Sequence, residues 1–138
     1  LVENLGLQEK VVFTGRANVL EYYSFLDLLL LTSISEGQPL SILEGLAAGI
    51  PFISTDVGNC REILLEKTDI GEAGVIIPPT SYTDLALSLV QLYHNPEKLK
   101  EFSKNGKKIV NKYYSKESFI QRYREIYDEM KGVEEWQE

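Results

Sequence analysis

The run Leu28-Leu29-Leu30-Leu31, the stretch Leu40 to Ala48 and the segment Pro51 to Ser54 succeed one another with the punctuation of strand, helix and strand. The leucine run is bounded by Thr32 and Ser33. It is apolar throughout and does not alternate, as in a strand buried on both faces of a parallel sheet. Gly49 closes the helical stretch and Pro51 bars its continuation. Pro39 suits the first helical turn, where a missing N–H costs nothing. Two further short apolar runs, Val11 to Thr14 and Gly74 to Ile77, also read as strands, and helical stretches fall at about Leu20 to Phe25 and Asn59 to Leu65. This alternation predicts an α/β chain, a doubly wound parallel sheet with right-handed crossovers. Three helices should follow: Thr83 to His94, with Leu85, Leu89 and Leu92 on one face, then Pro96 to Tyr113 and Ser115 to Met130. Leu1 to Leu7 reads as the tail of a helix entering a strand. Gly132 to Glu138 should fray.

A chain of 138 residues suits one domain with a real core, and its 43% apolar and 25% charged content is ordinary for a globular protein. The net charge of −7 argues against nucleic acid or anionic lipid as a non-specific partner. No stretch reaches the ~18 apolar residues of a membrane span, and no amino-terminal segment resembles a signal peptide. One cysteine and one histidine make a structural zinc site a poor reading, so no metal is expected. These features predict a cytosolic protein.

Glu36 and Glu44, eight positions apart, bracket the loop and the start of the helix. A helix N-terminus presents unpaired N–H groups and the positive end of a dipole, which favours phosphate. Carboxylates beside phosphate would repel it, unless they accept hydrogen bonds from hydroxyls on either side of it. Ribose hydroxyls, a diphosphate and sugar hydroxyls have that layout in a nucleotide sugar. Glu44 is expected about two turns along the helix, sharing a face with Leu40 and Ala47 and so pointing toward apolar surroundings. Gly37 leaves room for close backbone approach to a ligand. The competing reading makes Glu36 a mere complement to the helix dipole and Glu44 an ordinary exposed helical glutamate.

Glu-x7-Glu followed by Ala-Ala-Gly-x-Pro and a strand resembles the donor-site signature of retaining glycosyltransferases of family 4, which have the two-domain GT-B fold. The resemblance runs from Val11-Val12-Phe13-Thr14-Gly15 through Tyr22 to Asp27, Glu36 to Pro51, Thr55-Asp56-Val57-Gly58 and Glu62. Its wording is closest to the subgroup typified by the Pel exopolysaccharide glycosyltransferase, in Leu31 to Leu40, Asp56 to Glu62 and Gly71 to Pro79. It implies a Rossmann-like sheet forming part of a GT-B carboxy-terminal domain with trailing α-helices, over residues 1–138. The amino-terminal acceptor domain and the first strands of the donor domain would then be absent, leaving a fragment inactive alone.

Carried onto these positions, the resemblance gives Glu36 to hydroxyls of the transferred sugar, as the catalytic residue, and Glu44 to the ribose hydroxyls. Amides near Gly37, Gln38, Pro39 and Leu40 would meet the distal phosphate and the sugar; Pro39, with no N–H, only shapes the loop. Arg16 and Ala17 would meet the base, mostly through backbone groups, although Arg16 also reads as a solvated surface charge. The implied reaction needs no cofactor or metal. It moves a hexose, with UDP-glucose as the favoured donor, to a saccharide acceptor with retention, by same-face attack assisted by the donor phosphate. Further implied partners are the amino-terminal domain and, peripherally, a membrane polysaccharide-export complex.

Other residues carry structural readings. Asp56 is expected to cap the helix holding Arg61 and Glu62, the acidic pair of a phosphoacceptor magnesium site being absent. Cys60 reads as a buried small apolar residue and His94 as a helix-terminal cation. Tyr113, Tyr114, Phe119, Tyr123 and Tyr127 read as core packing or as a helix crossing to the amino-terminal domain. Two other functions remain open on sequence: a nucleotide-sugar epimerase of similar fold, and a non-catalytic binding module.

Overall fold

The computed structural model describes residues 1–131. The sequence reading of Gly132 to Glu138 lies outside them. Three strands, β1 (Leu29–Leu31), β2 (Phe52–Thr55) and β3 (Gly74–Ile77), form one parallel sheet in the order β1-β2-β3. Between them run α1 (Leu40–Ala48) and α2 (Cys60–Leu65), and after them α3 (Tyr82–Tyr93), α4 (Pro96–Tyr113) and α5 (Lys116–Lys131).

Both faces of β2 and β3 are covered, but the expectation that the leucine run is buried on both faces fails at edge strand β1, where Leu30 is 45% exposed beside Ile53. Phe52 joins Ile42 and Leu46 of α1, Ile63 and Leu64 of α2 and Ile109 of α4 on one face. Ile53 and Ile77 join Leu92 of α3 and Phe102 of α4 on the other. Burying each of these side chains contributes about 1.5–3 kcal/mol. Helix α1 approaches the sheet closely at Gly45, where a Cβ would stand 2.5 Å from the Phe52 ring and 2.7 Å from Leu29.

Helix α4 shows how local sequence and packing agree. Asn95 accepts from the Lys98 amide (3.1 Å), Pro96 occupies the first helical position, and Phe102, Asn105, Gly106 and Ile109 form a buried stripe. Asn105 Nδ2 donates to the Glu72 carbonyl (2.8 Å), fixing the approach to β3.

Three expectations of secondary structure fail. Val11 to Thr14 is no strand: Val12 and Phe13 are 85% and 81% exposed, and β1 pairs only with β2. A strand exists by its ladder, and among the described residues this extended segment has no neighbour to pair with. Leu20 to Phe25 forms two single 3₁₀ turns, Val19–Glu21 and Tyr23–Phe25, in place of an α-helix. With few residues and no buried face, it has too little packing to offset helix nucleation. The start of the chain also forms only short turns, Glu3–Leu5 and Gln8–Lys10.

Candidate functional site

The carboxyl ends of the three strands share one rim, the usual place for ligands in open parallel sheets. The loop leaving β1 is tied there by Thr55, whose hydroxyl donates to the Ser33 carbonyl (2.6 Å). Ser33 in turn donates its hydroxyl to Glu36 Oε1 (2.7 Å). Half-buried Glu36 is thus oriented by a serine three residues earlier, and its second oxygen has no hydrogen bond among the described residues. From the other side, the Asn59 amide donates to the Gly37 carbonyl (3.1 Å). Gly58, in the left-handed region (φ 52°), lets these backbones touch: a Cβ there would sit 2.7 Å from the Glu36 carbonyl oxygen and closer still to that of Gly37. Nothing lies within 4 Å of a Cβ built on Gly37, so that side of the loop is open.

Pro39 stands just ahead of α1, in extended conformation and buried, and the helix begins at Leu40. No side chain caps this end; the Ile42 amide donates to the Pro39 carbonyl (3.2 Å), and those of Leu40 and Ser41 remain available to an anion. Gln38 and Leu40 are exposed beside them. Glu44 is the fifth residue of α1, only slightly more than one turn from its start rather than two. It does not point toward apolar surroundings. Ile42, Gly45 and Leu46 hold the inward face, whereas Leu40, Glu44 and Ala47 are all exposed. The hydroxyl of Tyr23 donates to Glu44 Oε2 (3.2 Å). Burial first, then the Glu44 carboxylate, raise the Tyr23 hydroxyl above its ordinary pKa.

Tyr23 also lines a cleft of about 250 Å³ with Gly15, Ala17 and Tyr22. The loop expected at the base therefore lies next to the carboxylate expected at the ribose, with Tyr23 between them. Sequence missed this link, since nothing marks a tyrosine 21 positions away as a partner of Glu44. Arg16 is exposed, with no ion pair among the described residues, and contacts neither glutamate.

Asp56 does not cap α2. Asn59 takes that position without a side-chain bond, and Asp56 instead receives Arg61 in a two-oxygen pairing (Nη2–Oδ2 2.5 Å, Nε–Oδ1 3.1 Å). Charge attraction outweighs capping because Arg61, one residue into the short helix, reaches back over its start. Cys60 is fully buried, as a small apolar residue should be. His94 caps the far end of α3, about 18 Å from that helix's start at the rim. Tyr113 and Tyr114 are half-buried beside Lys67, but Phe119, Tyr123 and Tyr127 are 60%, 48% and 59% exposed on α5, so core packing fails for them. A cleft of about 620 Å³ lies at the opposite end of the sheet, by Asp27, Pro51 and Lys107, away from both glutamates.

Residues 1–109 match the family model described as glycosyl transferases group 1. The chain belongs to that family. It is 30% identical over 128 residues to N-acetyl-alpha-D-glucosaminyl L-malate synthase of Bacillus anthracis, covering 92% of this chain and 32% of that protein. The chain thus spans about a third of the length of this curated relative. The carboxy-terminal domain of the group 1 glycosyl transferase LpcC from Francisella tularensis superposes with a TM-score of 0.69 at 27% identity, over 83% of this chain and 59% of that one. Anabaena HepE in complex with UDP-glucose superposes with a TM-score of 0.78 at 21% identity, over 93% of this chain and 35% of that one. The sheet with its flanking helices is accordingly the Rossmann-like fold of GT-B carboxy-terminal domains, and the chain is a glycosyltransferase domain.

Proposed function

We propose that this chain is the donor-binding part of a longer two-domain enzyme, a family 4 retaining glycosyltransferase of the Pel-like subgroup. It would transfer a hexose from UDP-glucose to a saccharide acceptor. The observation that carries this reading is a chain of neighbours: Tyr23 lines the Gly15–Ala17 cleft and bonds Glu44 of α1, whose uncapped start follows Ser33-held Glu36. The base belongs in the cleft, the ribose hydroxyls at Glu44 and the diphosphate at the helix amides. The hexose then reaches Glu36. HepE, of the same fold, is known with UDP-glucose bound, which supports the choice of donor.

In this arrangement the first amides of α1 take up charge on the departing diphosphate without a metal ion, because they are oriented before the reaction begins. Glu36, held by Ser33, accepts from the hexose hydroxyls and fixes the ring for attack on the face it leaves. Among the described residues Glu36 is given to the donor hexose and Asp56 is paired with Arg61, so neither carboxylate is left as an acceptor base, in keeping with assistance by the donor phosphate. The epimerase alternative needs a histidine at the rim, and His94 stands at the other end of α3.

The test is the full-length protein with UDP-glucose, with rival UDP-sugars and with EDTA present. Glu44→Ala should weaken UDP binding roughly ten- to a hundredfold, the loss of hydrogen bonds to a charged acceptor. Glu36→Ala should leave UDP binding near normal and lower kcat by about two orders of magnitude or more. Parental turnover in Glu36→Ala, or unchanged UDP affinity in Glu44→Ala, would refute the assignment.

A further inference from the structure

A second cleft opens on the same rim, on the side of the β1 loop shared with β3. It encloses about 370 Å³, within the range of small-ligand clefts (roughly 300–1,000 Å³), and is lined by Thr32, Ile34, Ile77, Thr80, Tyr82 and Leu85. Its chemistry is mixed in one particular way. Ile34, Ile77 and Leu85 give it an apolar wall. The hydroxyls of Thr32, Thr80 and Tyr82 have no hydrogen-bond partner among the described residues. No lysine or arginine lines it, so it is unsuited to a phosphate.

The cleft is held in shape at some conformational cost. Thr80 has φ 64°, the one non-glycine residue in the left-handed region among the described residues, and a β-branched residue there is a true outlier. Such conformations persist where the surroundings impose them, and they concentrate at ligand sites. The surroundings here are a tight turn and a helix cap. The Ser81 amide donates to the Pro78 carbonyl (3.3 Å), and the Ser81 hydroxyl donates to Asp84 Oδ2 (2.6 Å) while accepting from the Asp84 amide (3.4 Å). This turn projects Tyr82, the first residue of α3, into solvent with 84% of its surface exposed. An exposed aromatic ring beside free hydroxyls and an apolar wall matches one class of neutral ligand: a pyranose, whose C–H face packs on a ring and whose edge carries hydroxyls.

We infer that this cleft is a saccharide subsite that holds a unit of the acceptor chain remote from its reacting end, which is left to the amino-terminal domain. The inference rests on the glycosyltransferase reading above and adds to it a place for the second substrate within this domain. The two sites share a wall. Thr55, at the cleft's edge, holds the Ser33 carbonyl, and Ser33 holds Glu36, so an acceptor seated against Thr32 and Tyr82 lies across one loop from the donor-site carboxylate.

Tyr82→Ala, Tyr82→Phe and Thr80→Gly in the full-length protein test this. Because Tyr82 is exposed and begins a helix, its truncation should not unfold the domain, and a melting curve checks that. The probes are maltotriose, cellotriose and chitotriose, followed by saturation-transfer NMR with and without UDP, while calorimetric UDP titration reads the donor site by itself. At least one trisaccharide should bind the parent with saturation on one ring face. Tyr82→Ala should weaken it about three- to tenfold and Tyr82→Phe much less, the scale of one lost aromatic contact. Thr80→Gly should relieve the backbone and weaken the sugar without changing UDP affinity. Binding that Tyr82→Ala leaves unchanged, or no contact with any trisaccharide, would overturn the inference. Tyr82-dependent sugar binding by a protein that binds no UDP would leave the cleft standing and reject the donor-site reading instead.

Discussion

Replacing Gly58 by alanine should damage the donor loop from a position that touches no substrate. Gly58 has φ 52°, and an alanine there incurs about 1–2 kcal/mol for the left-handed conformation. Its Cβ would also overlap the carbonyl oxygen of Gly37 and stand 2.7 Å from that of Glu36. Those are backbone atoms, so relief requires the loop to move as a unit. That movement breaks the 3.1 Å bond from the Asn59 amide to Gly37, worth about 0.5–1.5 kcal/mol. Alanine also restricts the unfolded chain, which offsets roughly 0.4–1 kcal/mol. The expected net loss is about 2 kcal/mol, read from urea denaturation. Turnover should fall further, because a shift of about 1 Å in a positioning group can cost about a hundredfold. Gly37→Ala is the control. Gly37 is not in the left-handed region, and nothing lies within 4 Å of its added methyl. Its stability should stay within about 0.5 kcal/mol of the parent, while donor binding suffers from the filled space. Equal stability losses for the two variants, or normal turnover in Gly58→Ala, would refute the claim that Gly58 sets the position of Glu36.

Tyr23→Phe should weaken UDP binding about three- to tenfold, the value of one hydrogen bond near a carboxylate, with kcat nearly unchanged in steady-state kinetics; an unaltered affinity would detach Tyr23 from the ribose site. The Glu62–Lys67 pair (2.7 Å) predicts a stability plateau with two edges. Its hydrogen bond to Lys67 lowers the Glu62 pKa, so that contribution is present above the ordinary value of 4.5 and is lost as pH falls through the lowered native one. The bond to Glu62 raises the Lys67 pKa, so its contribution is present below 10.5 and is lost as pH rises through the raised native value. Glu62→Gln should flatten both edges in urea titrations across pH, modestly, since half of the Glu62 side chain is exposed.

The elements legible in sequence were those whose formation depends on nearby residues. Leu40–Ala48 and Pro96–Tyr113 carry their own stops and starts, in Gly49, Pro51, Asn95 and Pro96, and both matched to the residue. Gly74–Ile77 matched because a short apolar run between turns has few alternatives in an α/β chain. The spacing of Glu36 and Glu44 likewise marked the rim, since a strand–loop–helix unit fixes where its loop lies. Tertiary structure decided everything that depends on a partner distant in sequence. Val11 to Thr14 has strand composition but no strand beside it among the described residues, and composition cannot supply a ladder. Glu44 has an apolar neighbour at i−4, yet α1 turns toward the sheet on Gly45, the one residue small enough for contact with Phe52 and Leu29, and that rotation leaves Glu44 outward. Tyr23 reaches Glu44 across 21 residues, and Thr55 reaches Ser33 across 22. Helix periodicity and turn chemistry act over a few residues, so they can be read from the order of the chain. Contacts across tens of residues depend on how whole elements pack, which no local pattern records.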